Sequence, residues 1–124
     1  MAIAFGAAGT TSSSATSTVT PAYPTVAAGD YMVLKVAHKY ATPTVATPSG
    51  WTALGAQAGG AGTDGTVDEG QVKLWIFGKE ATGSESGTLS VSNSGGTASC
   101  LSARIMSFTK GASETWDVVG NALA

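Results

Sequence analysis

An all-β fold, an antiparallel β-sandwich of jelly-roll-like type with about six to eight strands, is the class this sequence predicts. Three segments, 31–40, 71–79 and 97–110, alternate side chains with period two. Clusters of Gly, Pro, Asn and Asp separate such segments at intervals of roughly 10–15 residues. No segment carries sustained 3.6-residue periodicity, so no helix has an apolar stripe to bury.

Composition narrows what such a sandwich does. The chain has 124 residues, which suits one domain. It contains 21 Ala, 17 Gly, 17 Thr and 14 Ser, against 22 residues of Ile, Leu, Val and Phe together. Alanine is the largest single part of the 43% hydrophobic content, and the core is thin enough for other subunits to supplement it. Charged residues make up 11% and the net charge is -2, which excludes a basic nucleic-acid-binding domain and a charge-driven disordered tail. The single cysteine, Cys100, permits no intrachain disulfide and no thiolate cluster for zinc. No basic residue precedes Lys35, and no run approaches the roughly 18 apolar residues of a membrane span, so neither a secretory signal nor a membrane partner is expected.

Residues 1–20 are read as an N-terminal arm or edge strand, 21–116 as the sandwich domain and 117–124 as a C-terminal tail. The segment 9–20 is small, polar and β-branched, suited to an edge strand or to strand addition on a neighbouring sheet. Only Ile3, Phe5 and Val19 can anchor it, which makes them candidate interface residues. Pro21 and Pro24 mark one turn and residues 27–30 a second. Beyond it, Met32, Leu34 and Val36 form a candidate core face, with Tyr31, Lys35 and Lys39 opposite. Pro43, Pro48 and Gly50 break the next segment and deliver Trp51, a candidate core residue, to a short strand. Residues 55–70 hold six glycines with Asp64, Asp68 and Glu69, and the backbone entropy of that run predicts a long exposed loop.

Both faces of 71–79 are bulky. Val72, Leu74 and Ile76 share one face, with Leu74 and Ile76 as candidate core; Lys73, Trp75 and Phe77 share the other, with Trp75 and Phe77 as candidate interface. A strand at 88–92 turns Leu89 and Val91 inward, and residues 93–96 make a hairpin-type connector. In 97–110 the candidate core residues Leu101 and Ile105, with Ala103, oppose Arg104, Met106 and Phe108.

Catalytic chemistry is poorly supplied. His38 is the only histidine, and pairing it with Cys100 would need a strained or electropositive site that nothing marks. No Gly-x-Ser-x-Gly elbow accompanies the many serines. Asp64, Asp68 and Glu69 could offer oxygen ligands to calcium, but their spacing matches no EF-hand and suits a solvated loop. Glu80 and Glu85 are a conceivable glycosidase pair without an aromatic cleft. Trp51, Trp75 and Trp116, with Tyr23, Tyr31 and Tyr40, either stack on a sugar or fill a leucine-poor core and its interfaces. Neither a catalytic site nor a cofactor or metal is expected.

Four segments occur in a telling order: AGDYMVLKV at 28–36, TPSGWTAL at 47–54, VKLWIFGKEA at 72–81 and GTLSVS at 87–92. In that order they resemble a group of tailed-bacteriophage virion proteins, with the likeness running over residues 21–111. The resemblance implies a β-sandwich or jelly-roll building block of capsid decoration, head fibre or tail appendage. The expected function is a non-enzymatic capsid decoration or cement protein that binds and stabilises the head, because the chain carries little beyond Trp116. Its expected partners are the major capsid protein and further copies of itself in a homotrimer, with localisation in the virion after synthesis in the bacterial cytoplasm. The alternative is a tail or fibre module in which Trp75, Trp51 or Tyr40 stacks on host carbohydrate.

Overall fold

The computed structural model describes residues 2–15, 17–39, 44–59, 72–94 and 100–119. The regular elements among them are all strands: β1 (Ala4–Ala8), β2 (Ser12–Ser14), β3 (Thr18–Val19), β4 (Tyr31–Lys39), β5 (Thr44–Val45), β6 (Thr52–Gly59), β7 (Val72–Glu80), β8 (Val91–Ser94) and β9 (Leu101–Thr109). They form the predicted antiparallel β-sandwich. A six-stranded sheet runs β1-β9-β4-β7-β6, with β2 also on β9, and a three-stranded sheet runs β3-β8-β5. The nine strands exceed the expected six to eight because β2, β3 and β5 are only two or three residues long, too short for alternation to register.

β4 is the spine of the larger sheet, paired over its whole length with β7 and along most of it with β9. Leu34 lies between Phe77 and Ile105, and Val36 between Trp75 and Ala103. Residues opposite one another on paired strands share a face, so the inward set of β4 fixes that of its neighbours. Met32, Leu34, Val36, Leu101 and Ile105 are fully buried, as expected, and Trp51 is 6% exposed. The smaller sheet closes the core with Val19, Val45 and Val91.

The same register corrects the expected facing of β7. Phe77, expected at an interface, is 1% exposed in the core, and Trp75 packs half-buried against that core. Leu74 and Ile76, expected inside, lie half-buried on the opposite face. Alternation gives two faces but not which is inner, and only pairing with β4 decides it.

Further expectations are placed or changed by the pairing. Val19, expected to anchor an arm, is 2% exposed and pairs with Val91. The N-terminal segment is divided between the sheets: β1 and β2 lie on β9, and β3 on β8. Residues 55–59 of the expected loop are strand instead, because β6 pairs with β7 from Thr52↔Gly78 to Gly59↔Val72, with a bulge between Ala53 and Gly55. The ladder with β7 offsets the roughly 0.5–1 kcal/mol that each strand glycine costs. The remainder of the expected loop, 60–70, lies outside the described residues. The expected strand at 88–92 is shifted to β8, where Asn93 pairs with Val45 and Ser94 with Thr44 instead of forming a connector.

Turn chemistry places the strands as the sequence suggests. Asp30 Oδ2 accepts from the Ala27 N–H at 2.8 Å, closing the turn into β4. The Trp51 N–H donates to the Pro48 carbonyl at 3.0 Å across Gly50, whose φ of 79° is the left-handed value that this turn reserves for glycine. Trp51 thereby enters the core directly from the turn.

Candidate interaction face

One face of the six-stranded sheet points into the core; the other carries the features open to a partner. Register aligns its side chains in rows. The first row runs Phe5, Phe108, Tyr31, Glu80; the next passes through Met106, Val33, Gly78 and Thr52. A third holds Arg104, Lys35, Ile76 and Gly55, and a fourth Ser13, Ser102, Ala37, Leu74 and Gln57. Lys39, Val72 and Gly59 complete it. Apolar side chains thus cross the sheet from β1 to β7, with three cations, Arg104, Lys35 and Lys39, set among them.

The exposed end of this face is built from both chain termini. Phe5, 60% exposed, meets Phe108 edge-on at 6.1 Å between ring centroids. Trp116 Nε1 donates to the Gly29 carbonyl at 2.7 Å, and its ring lies 5.5 Å from that of Tyr31. Burial, with the Glu80 carboxylate second, pushes the Tyr31 phenol above its usual pKa. Ile3, 59% exposed, lines a groove of about 150 Å³ with Trp116. At the far side of the sheet Val72 is 52% exposed. Of the candidate interface residues, Ile3 and Phe5 lie on the surface, whereas Val19 and Phe77 are core and Trp75 faces inward.

The groups considered for chemistry are occupied in other ways. His38 is 2% exposed, and its Nε2 accepts from Trp75 Nε1 at 2.9 Å. The neutral ring must then carry its proton on Nδ1, which faces the Lys39 carbonyl at 3.3 Å. Both nitrogens are engaged, so His38 has no lone pair to offer exposed Cys100 as a base. The Trp75 ring stacks parallel to Phe77 at 6.3 Å, and Lys73 Nζ sits 4.3 Å from its centroid. Trp51 and Trp75 are thus packing residues rather than an open sugar platform. Tyr40 and the acidic loop residues Asp64, Asp68 and Glu69 lie outside the described residues. Among the described residues no three His, Cys, Asp or Glu side chains cluster to hold a metal.

Glu85 is structural. Its carboxylate accepts from the Thr82 and Gly83 N–H groups at 3.0 Å and from the Thr82 hydroxyl at 3.1 Å, and it pairs with Lys79 Nζ at 3.1 Å. Burial acts to raise its pKa, but the hydrogen bonds from backbone, Lys79 and Thr82 outweigh it and hold the group down at about 2. A depressed carboxyl stabilises the fold fully above its unfolded pKa, near 4.5, and that contribution disappears as pH falls through about 2. With solvent screening allowed for, it is on the order of 1–2 kcal/mol. Thermal melts should show Glu85→Gln less stable than wild type by that amount at pH 7, with the gap closing towards pH 2. A gap independent of pH would contradict the assignment.

The Lys35–Arg104 juxtaposition is a feature that sequence reasoning missed. Each residue falls on the non-core parity of its own strand, which the sequence shows. That they stand opposite one another depends on the β4–β9 register across more than sixty residues of chain. No protein-family model, curated protein or solved structure matches the chain.

Proposed function

We propose that this chain is a non-enzymatic virion building block of a tailed bacteriophage, a jelly-roll-like decoration or cement protein of the head. It attaches through the outer face of its six-stranded sheet. The single observation that carries the reading is that face: Phe5, Phe108, Met106, Val33, Ile76, Leu74 and Val72 lie on it in adjoining rows. Contiguous apolar surface of this kind on a small domain is the usual mark of a protein contact. The ordered likeness of 28–36, 47–54, 72–81 and 87–92 to virion proteins supplies the setting, with the major capsid protein and sister subunits of a homotrimer as partners. The inward packing of Trp51 and Trp75 favours assembly over carbohydrate recognition.

Sedimentation velocity tests the self-assembly. The wild-type chain is expected to run as a trimer, and the double variant Phe5→Ser, Val72→Glu as a monomer that keeps the β-sheet circular dichroism of the wild type. Both side chains are more than half exposed, so their exchange leaves the core intact. A monomeric wild type, or a variant that remains trimeric, would overturn the role given to this face.

A further inference from the structure

We propose that a concavity on the outer face of the larger sheet is an oxyanion-binding site held by Lys35 and Arg104. It encloses about 330 Å³ and is lined by Thr11, Lys35, Ala37, Ser102, Arg104 and Met106, with Ala103 at its base. The site does not rest on the virion reading, and because it lies on the face given to assembly, it is tested on the double variant Phe5→Ser, Val72→Glu, whose outer face is expected to be open.

Its electrostatics are unbalanced. Lys35 and Arg104 are directly opposite on adjacent strands, an arrangement in which like charges repel. Among the described residues no carboxylate lines the concavity, and on its other side Lys35 faces Ile76. Two of the chain's six basic residues are thus adjacent and, among the described residues, without a counter-charge, in a protein whose net charge is -2. An anion placed between them converts that repulsion into two attractions.

The surrounding groups suit an oxyanion in particular. Arg104 Nε donates to the Gly9 carbonyl at 3.1 Å, which fixes the guanidinium plane and leaves its terminal nitrogens for a two-pronged contact with two oxygens. Ser102 and Thr11 add hydroxyls, and Ser13 Oγ donates to Ser102 Oγ at 3.0 Å, leaving the Ser102 hydroxyl hydrogen free to point at an acceptor. The Ala37 and Met106 side chains supply an apolar border that limits competing water. A phosphate and a carboxylate share this chemistry, the first as a free or esterified group and the second as a side chain presented by another protein.

The test is an NMR titration of amide shifts with inorganic phosphate, with acetate, and with sodium chloride at matched ionic strength. Saturable shifts at Lys35, Ser102 and Arg104 are expected with an oxyanion and not with chloride. Lys35→Gln and Arg104→Gln should each weaken binding by about fivefold or more, since each removes one charge-assisted contact at an exposed site. Saturation by phosphate alone assigns the site to a phosphate group; saturation by acetate as well assigns it to a carboxylate source, and both uphold the proposal. Shifts that follow ionic strength whatever the salt, or variants that bind as tightly as wild type, overturn it. The Lys35→Gln chain is expected to melt no lower than wild type in chloride, because the Lys35 side chain makes no hydrogen bond or ion pair among the described residues and its removal relieves the repulsion.

Discussion

Phe77→Ala is expected to lower stability by about 3–5 kcal/mol, whereas Ile76→Ala, one residue away, should cost only about 1 kcal/mol. Phe77 is 1% exposed and lies beside Leu34, so removing its ring leaves a cavity that neighbouring strands, held in register on both sides, cannot close. Ile76 is half-buried on the outer face, where solvent fills the space that truncation opens. For a domain whose whole stability is roughly 5–15 kcal/mol, the first loss is a large fraction and the second a small one. Urea titrations of the two variants measure both. A larger loss at Ile76 than at Phe77 would mean that β7 presents its other face to the core.

Deleting residues 2–16 is expected to lower the melting temperature by roughly 15 °C or more, corresponding to about 4 kcal/mol for a domain of this size. The segment supplies β1 and β2, the partners of one whole side of β9. It also satisfies Ser107, which is fully buried and whose hydroxyl accepts from the Ala7 N–H at 2.9 Å and bonds the Ala7 carbonyl. Without it β9 loses the Gly9 N–H that donates to the Ile105 carbonyl at 2.9 Å, and Arg104 loses the Gly9 carbonyl. Gly9 shows how closely this segment is built in: a Cβ there would overlap the Ala22 carbonyl, so the chain passes over itself with no room for a side chain. Calorimetry of the truncated chain decides between a structural strand and a detachable arm, and an unchanged melting temperature would establish the arm.

How much of this was legible in the sequence depended on whether a feature is local. The strands β4 and β9 were readable because each has one apolar and one mixed face, so Met32, Leu34, Val36, Leu101 and Ile105 could go only inward. The turns at 27–30 and 48–51 were readable because Gly and Asp or Pro stand where the geometry needs them. β7 was misread because Trp75/Phe77 and Leu74/Ile76 are equally apolar and parity alone carries no inside or outside. β6 was misread because the cost of glycine is a local property, while the ladder that offsets it comes from β7. The outer face stayed hidden for the same reason: its rows join residues from β1, β9, β4 and β7, and Lys35 meets Arg104 only through a pairing between distant parts of the chain.

The most direct test of the assembly role is a cryo-electron-microscopy reconstruction of the virion produced from the genome that encodes this chain. The expected result is density for the nine-stranded sandwich on the outside of the head, with Phe5, Ile76 and Val72 turned into a contact with the shell or a sister subunit. A virion that lacks the chain, or one that carries it with the outer face of the larger sheet open to solvent, would contradict it.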